Sequence, residues 1–371
     1  MKTSKENTPR KQLLRGTEAI GEAALRAGCR FYAGYPITPQ NELPEYMSRR
    51  MGQLQQEYPD ENYVFIQSES EISAINMLLG ASATGTRVMT SSSSPGISLK
   101  QEGISFMCGD ELPAVIVNIM RGGPGLGNIA PSQSDYFQAT RGGGHGDYRT
   151  IVLAPASVQE LADLTYEAFD LADTYRNPVL IVGDGMMGQM MEPVVFSHPI
   201  KTKLPPKPWT LRGAKGRPSR FIRSLILPID EMEEHNWRLY RKYQKIERKE
   251  VRYEAVGVKG AEFIVVAFGT TARIAKAAIK RCQEKGMRVG LIRPITLWPY
   301  PYQAVRDAAS NGVLGVLSFE LNTGQMVEDV RLAVEGRVPV NFYGRPGGVV
   351  PTPAELFRVL TRTYHKYKNN H

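Results

Sequence analysis

Two acidic residues, Glu69 and Glu71, precede an apolar segment whose hydrophobic residues recur at helical spacing. The pattern predicts a packed helix after Ser70, with the acids at its N-terminal end. The free N–H groups at the start of a helix stabilise a carboxylate. Glu71 is therefore either a structural cap or part of a ligand-binding site. Glu69 is its rival, and one helix start needs only one of the two acids as a cap.

The helix is followed by a strand predicted at 88–91 and by a turn rich in hydroxyl groups. The turn contains Ser94, Pro95 and Gly96, and its hydroxyls and amides are candidates for contact with a ligand. Small residues near the end of the helix allow another backbone to approach closely, so we expect the helix to be tightly packed.

A loop with two prolines, Gly34-Tyr-Pro-Ile-Thr-Pro, follows a short strand predicted at 29–33. The prolines stiffen this loop. Open α/β sheets bind ligands beyond the carboxyl ends of their strands, so Thr38 is a candidate ligand contact. An ordinary proline turn is the alternative interpretation.

The run 112–120 is continuously apolar, which is typical of a strand buried on both faces of a parallel sheet. Arg121 follows this run, so we expect its charge to face the crevice at the edge of the sheet. Two glycine-rich loops come next, at 122–127 and 141–147, and neither has the Gly-Lys-Ser/Thr ending of a phosphate-binding loop. His145, in the second loop, is interpreted as either a structural residue or a substrate contact.

The composition indicates a folded protein. The chain has 371 residues and is 42% hydrophobic, enough for two or three globular domains. Its three cysteines are far apart in the sequence, so we expect neither a disulfide framework nor a four-cysteine cluster in this chain. The N-terminus has no apolar leader and no run is long enough to span a bilayer, which predicts a cytoplasmic protein without a membrane span.

The formal charge of +9 resides in one segment, because residues 201–260 hold 16 Lys and Arg against 7 Asp and Glu. Since no RNA-binding or zinc motif accompanies these charges, a solvated connector or a docking face for an acidic partner is favoured over a nucleic-acid site. A helix is predicted after Pro228, and Trp237 is interpreted as its packing anchor.

Strands and helices alternate through the first part of the chain, and the alternation restarts at Glu262. We therefore predict an α/β protein with three parts. These are a parallel-sheet domain at 1–200, a basic linker with a helix at 201–258, and a smaller α/β domain at 259–371.

Together these motifs make the sequence similar to the α subunit of the 2-oxoacid:ferredoxin oxidoreductases, a thiamine diphosphate and iron–sulfur family. The similarity covers nearly the whole chain, and its glycine-rich loops are most similar to the 2-oxoisovalerate type, with the 2-oxoglutarate type next. The motifs that carry it are Gly34-Tyr-Pro-Ile-Thr-Pro, the Glu71 helix, Ser92-Ser-Ser-Pro-Gly, Arg121-Gly-Gly-Pro, Gly144-His-Gly-Asp and Phe319-Glu-Leu-Asn-Thr-Gly-Gln-Met.

The resemblance implies a first domain that binds the aminopyrimidine ring of thiamine diphosphate and a second domain like the C-terminal domain of transketolase. It assigns Glu71 to the coenzyme ring, where a glutamate promotes deprotonation of the thiazolium carbon. It implies substrate contacts from Thr38, Arg121 and His145. The further coenzyme contacts that it implies are Tyr35, Pro36, Ile37, Ser94, Pro95 and Gly96.

The resemblance also implies oxidative decarboxylation of a 2-oxoacid to acyl-coenzyme A and CO₂, with electrons passed to ferredoxin. Gly183-Asp-Gly resembles half of the magnesium and diphosphate motif, but no asparagine completes it before Asn236. Mg²⁺ and a [4Fe–4S] cluster are therefore expected on a partner β subunit, and no metal ligand is assigned here. A γ subunit and a ferredoxin-like δ subunit are further expected partners.

Two alternatives to this function stay open. The first is a subunit of a non-oxidative thiamine diphosphate enzyme, either transketolase-like or a decarboxylase. The second is a basic scaffold or nucleic-acid-binding protein that uses residues 201–260.

Overall fold

The structure is a computed structural model that describes residues 11–200, 203–204, 206–310 and 312–369. The outer limits of the predicted domains, at 1 and 371, and the predicted start of the linker, at 201, lie outside these residues. Among the helices within these ranges, none has the length and apolar character needed to cross a membrane.

The first part of the chain alternates strands and helices. Its elements are β1 (Gln12–Arg15), α1 (Gly16–Arg26), β2 (Phe31–Gly34), α2 (Glu42–Glu57), β3 (Val64–Gln67), α3 (Glu71–Ala83), β4 (Val88–Ser92), α4 (Ser94–Gly109), β5 (Ala114–Met120), α5 (Tyr136–Arg141), β6 (Ile151–Leu153), α6 (Val158–Tyr175), β7 (Pro178–Asp184), α7 (Gly185–Gln189) and β8 (Met191–Val194).

A long helix opens the second part, and a second alternation of strands and helices follows. The elements are α8 (Ile229–Lys249), β9 (Tyr253–Val256), β10 (Phe263–Val266), α9 (Gly269–Glu284), β11 (Val289–Pro294), β12 (Thr296–Trp298), α10 (Tyr302–Ala308), β13 (Gly315–Glu320), α11 (Met326–Val334), β14 (Val340–Gly344) and α12 (Pro353–Lys368).

The larger sheet has seven strands in the order β12-β6-β7-β5-β4-β2-β3. Its neighbouring strands are parallel, except that β12 runs antiparallel to β6. The central strand β5 is buried at all seven residues, as expected where helices cover both faces of a parallel sheet. The buried parallel strand predicted at 112–120 is thus confirmed.

The smaller sheet has five strands in the order β14-β13-β10-β11-β9, and β9 is its antiparallel strand. Helices α9 and α12 bury their apolar faces against it, with Phe263, Ile279 and Leu356 in the shared core. The predicted fold class, a parallel-sheet α/β domain followed by a smaller α/β domain, is confirmed.

The two parts of the chain are tied together by α8 and β12. Leu239 and Ile246 of α8 are buried in the core of the first part, and the Tyr243 ring meets Trp298 of β12 edge-on at 6.0 Å. Trp237 is 52% exposed, so its interpretation as the packing anchor is wrong, and Tyr243 takes that place. The domain limits at 200 and 258 stay a prediction.

The helix α4 begins where a turn was predicted, at 92–96. Glycines at 103 and 109 lower its intrinsic helix propensity, which is why the sequence pattern did not predict it. Gly103 lies against Ile75 of α3, and a Cβ there would be 2.5 Å from the Ile75 Cγ2 atom. Close packing of α4 on α3 therefore stabilises a helix that is weak by itself.

Candidate active site

Glu71 is the first residue of α3 and is buried, with 6% of its surface exposed. Ser70 caps the helix by accepting a hydrogen bond from the Ser73 amide at 3.3 Å. Among the described residues, Lys100 donates to the main-chain carbonyl of Glu71, and no group donates to its carboxylate. The carboxylate therefore lies in the field of the helix N-terminus with its oxygen atoms available to a ligand.

The neighbouring acid, Glu69, is exposed and faces the first turn of α3. It accepts hydrogen bonds from the Ser73 hydroxyl and, at 3.1 Å, from the Ser70 hydroxyl. These hydrogen bonds, chiefly the one from Ser73, lower the pKa of Glu69. The carboxylate of Glu69 therefore accepts hydrogen bonds from the start of α3, whereas the carboxylate of Glu71 accepts none from the described residues.

The wall beside Glu71 is formed by the end of β4 and the start of α4. A Cβ at Gly96 would lie 2.5 Å from Glu71 Oε1 and 2.0 Å from Ser92 Oγ, so glycine is required there. Ser92 Oγ, Ser93 Oγ and Gln40 Nε2 are buried and have no hydrogen-bond partner within the described chain. Since buried polar groups are normally paired, these atoms indicate a site for a polar ligand.

Arg121 lies at the carboxyl end of β5, as predicted, and is 9% exposed. Its guanidinium donates to the main-chain carbonyls of Thr38, at 2.9 Å, and Leu126, at 3.1 Å, while its Nε atom is unpaired. No carboxylate of the described chain forms an ion pair with it. A buried cation held only by carbonyls can still bind an anion, and its planar geometry suits a carboxylate.

A cavity of ≈ 660 Å³ opens beside Arg121, between the two sheets of the molecule. Ser94 and Pro95 line it from the start of α4, and Asn322 and Gln325 line it from the second part of the chain. Asn322 donates to the Gln133 carbonyl at 2.9 Å and Gln325 to the Ser134 carbonyl at 2.7 Å. The second α/β unit therefore closes one side of the cavity.

The loop after β2 lies outside this cavity. Tyr35 and Pro36 are exposed and Ile37 is half-buried. Pro36 lines a separate hollow beside Phe65, and Thr38 lines another beside Gln189. The loop reaches Arg121 through the carbonyl of Thr38, so Thr38 lies next to Arg121 with its side chain exposed.

His145 lies in a different cavity, of ≈ 350 Å³, between its glycine-rich loop and α8. The Ser105 hydroxyl donates to the His145 carbonyl at 2.7 Å, which holds the loop on the far half of α4. The structure thus brings Glu71 and Gly96 together, and it separately brings Ser94, Arg121 and Thr38 together. It does not bring His145 to the same cavity as Arg121.

Lys100 is a polar residue of this region that the sequence pattern did not indicate. It is fully buried in α4, and its Nζ atom donates to the Glu71 carbonyl at 3.4 Å. Burial lowers its pKa to about 8, against the opposing effect of the Glu71 charge. Because no helix was predicted around Lys100, its side chain could not be assigned to the buried face of a helix.

The fold and the site together define an α/β enzyme subunit of the thiamine diphosphate class. A family model described as pyruvate flavodoxin/ferredoxin oxidoreductase, thiamine diphosphate-binding, matches residues 22–253. Another, described as pyruvate:ferredoxin oxidoreductase core domain II, matches residues 261–356. The chain belongs to the 2-oxoacid:ferredoxin oxidoreductase family, which confirms the resemblance found in the sequence.

Relatives of known name agree with this membership. The chain is 48% identical to ketoisovalerate oxidoreductase subunit VorB from Methanothermobacter marburgensis over 349 residues, which cover 94% of this chain and 97% of the relative. It is 35% identical to 2-oxoglutarate synthase subunit KorA from Methanothermobacter thermautotrophicus over 377 residues, with coverage of 94% and 98%. These names favour an enzyme subunit over a basic scaffold.

A solved structure matches along most of this chain. It is 2-oxoglutarate:ferredoxin oxidoreductase from Magnetococcus marinus with 2-oxoglutarate, coenzyme A and succinyl-CoA bound, and it superposes with a TM-score of 0.83 at 25% identity. The match covers 95% of this chain and 65% of that chain, so the present chain spans just under two thirds of its length.

The polar groups around Glu71 suit the aminopyrimidine ring of thiamine diphosphate chemically. A carboxylate without a donor can hydrogen-bond a ring nitrogen, and the hydroxyls of Ser92 and Ser93, unpaired within the described chain, suit the polar edge of the ring. Gly96 leaves room for the Glu71 carboxylate against the backbone of α4. These residues are able to hold and orient the ring end of the coenzyme.

Replacing Gly96 by alanine is expected to weaken binding of thiamine diphosphate about 100-fold or more, because the added methyl group would displace the Glu71 carboxylate and the Ser92 hydroxyl. Calorimetric titration of the assembled enzyme with the coenzyme measures this loss. The matched control is Gly80→Ala in α3, where no described atom outside the neighbouring helix backbone lies within 4 Å of the added Cβ. That change is expected to leave coenzyme binding intact and to raise stability by about 1 kcal/mol. Equal coenzyme affinity in the two variants would contradict a ligand pocket at Gly96.

Proposed function

We propose that this chain activates thiamine diphosphate within a 2-oxoacid:ferredoxin oxidoreductase that oxidatively decarboxylates a 2-oxoacid. The products are acyl-coenzyme A and CO₂, and the electrons pass to ferredoxin. The observation that carries the proposal is the buried, donor-free carboxylate of Glu71 against Gly96. A branched-chain substrate, 2-oxoisovalerate, is favoured because the relative VorB is named for ketoisovalerate, and 2-oxoglutarate is next.

Glu71 is the proposed acid–base residue. When bound, thiamine diphosphate supplies a carbon that attacks the oxoacid and an electron sink for decarboxylation. Glu71 would hold a proton between its carboxylate and a nitrogen of the aminopyrimidine ring and would exchange that proton with the ring. The dry surroundings of Glu71 strengthen this hydrogen bond, since burial excludes competing water. Tyr35, Pro36 and Ile37 are the proposed outer contacts of the ring.

Arg121 is the proposed anchor for the substrate carboxylate. Its uncompensated charge lies beside the cavity that Ser94 and Pro95 line, so an anion bound there lies near the start of α4. Thr38 is a proposed substrate contact at the rim. His145 is kept as a proposed loop contact, although its cavity is separate.

The proposal requires partner subunits. A β subunit is proposed to hold the diphosphate, Mg²⁺ and a [4Fe–4S] cluster, with a γ subunit, a ferredoxin-like δ subunit and ferredoxin itself as further partners. The relatives VorB and KorA are themselves named as subunits, which supports assembly. Coenzyme A is the proposed acyl acceptor, and the cytoplasm stays the predicted compartment.

The test is to co-express the chain with the subunits encoded beside it and to measure reduction of a viologen dye. We expect reduction that requires coenzyme A and is fastest with 2-oxoisovalerate in a panel with 2-oxoglutarate and pyruvate. Release of CO₂ without dye reduction would instead establish a non-oxidative thiamine diphosphate enzyme. Fastest reduction with 2-oxoglutarate would overturn the branched-chain preference alone.

A further inference from the structure

We propose that Lys100 is a positioning residue for Glu71, an inference that rests on the proposed function. Lys100 holds the first residue of α3 in place through its main-chain carbonyl, and its ammonium brings a positive charge to that residue. It does not line the cavity beside Arg121, so it acts through Glu71.

The packing of α4 on α3 places Lys100 against the start of α3. Gly103 lets the two helices meet closely at Ile75, and Lys100 lies one turn earlier on α4. At that position its Nζ atom donates to the carbonyl of Glu71 at 3.4 Å. A displacement of the Lys100 side chain would therefore displace Glu71.

The charge environment of Lys100 differs from that of two half-buried lysines, Lys207 and Lys242. Lys207 pairs with Asp173 at 2.5 Å, and Lys242 approaches Glu111 at 3.4 Å. No carboxylate of the described chain lies within ion-pair distance of Lys100, and Glu71 is the charged group that acts on it. Burying an ammonium without a direct ion pair is unfavourable, and a methionine would fill the space at lower cost.

The contact between Lys100 and the start of α3 has a specific use at this site. The hydrogen bond from Lys100 to the Glu71 carbonyl fixes the direction from which the Glu71 side chain extends. Loss of Lys100 is therefore expected to slow coenzyme activation more than it weakens coenzyme binding.

The first measurement uses the assembled enzyme loaded with thiamine diphosphate. Deuterium exchange at the reactive carbon of the bound coenzyme, read by NMR after acid quenching, is expected to slow at least tenfold in Lys100→Met. The dissociation constant of the coenzyme and the KM for the oxoacid are expected to stay within about threefold. The matched control is Lys242→Met, because the side chain of Lys242 is only 12% exposed and also donates to a main-chain carbonyl, that of Arg176, at 3.2 Å. Its exchange rate is expected to match that of the unmodified enzyme.

The second measurement uses the full chain without coenzyme, in a thermal double-mutant cycle of Lys100→Met and Glu71→Gln. If the two charges stabilise each other, Lys100→Met lowers the melting temperature by at least 2 °C more in the original chain than in the Glu71→Gln background. Additive shifts together with an unchanged exchange rate would overturn the inference. Normal turnover in Glu71→Gln would instead overturn the proposed function, while the cycle would still report the coupling of the two residues.

Discussion

Replacing Glu71 by glutamine is expected to lower the turnover of the assembled enzyme by about 10² to 10⁴-fold, the range typical of a lost acid–base group. Glutamine preserves the size of the side chain but cannot exchange a proton with the coenzyme ring. Helix α3 is expected to persist in this variant, because Ser70 rather than Glu71 caps that helix. Steady-state dye reduction at saturating coenzyme and oxoacid measures the loss.

The matched control for this change is Glu69→Gln, two residues away. Glu69 is exposed and its carboxylate faces Ser70 and Ser73, so its replacement is expected to leave turnover within about twofold. Similar losses in both variants would point to disruption of the helix start. Loss in Glu69→Gln alone would assign the acid–base role to Glu69.

Replacing Arg121 by methionine is expected to raise the KM for the oxoacid by about 10² -fold, since a charge-assisted bidentate contact contributes roughly 2–3 kcal/mol. The guanidinium has no competing carboxylate among the described residues, so its charge is available to the substrate. Lysine at the same position is expected to recover only part of the affinity, because it lacks the planar fork. Initial rates across oxoacid concentrations measure both effects.

Arg176, which follows the end of α6, is the control arginine. It also donates to a main-chain carbonyl, that of Glu111 just beyond α4, at 3.1 Å, but it lies outside the cavity beside Arg121. Arg176→Met is expected to leave the KM unchanged. The KM for a methyl ester of the oxoacid is expected to differ little between the original enzyme and Arg121→Met. An unchanged KM for the free acid in Arg121→Met would exclude carboxylate binding by this residue.

Much of the first sheet could be predicted from the sequence because its strands are local features. The strand at 64–67 has the predicted limits, and most of the buried run at 112–120 forms β5, from Ala114 onward. The start of α3 after Ser70 was also predictable, since the apolar residues that follow have helical spacing. Local chemistry therefore located Glu71 and Arg121 at helix and strand ends.

The parts that escaped prediction depend on contacts between distant residues. Helix α4 forms because Gly103 packs on Ile75, and no pattern within its own sequence indicates that contact. Lys100 was missed for the same reason. The separation of His145 from Arg121 follows from the path of two glycine-rich loops, whose backbone freedom leaves their direction undetermined by sequence.

The strand β12 has a consequence for how this chain can be divided. In the sequence β12 follows β11 of the smaller sheet, but it pairs with β6 and so extends the larger sheet. Strand β9, which comes before β10, pairs with β11 and belongs to the smaller sheet. A fragment that stops at residue 258 would lose β12 and leave β6 as an open edge that invites aggregation. Chimaeric enzymes that exchange the second domain between relatives should therefore be joined before β9, so that β9 and β12 both come from the relative that donates the second domain. Such a chimaera is expected to melt as one cooperative unit.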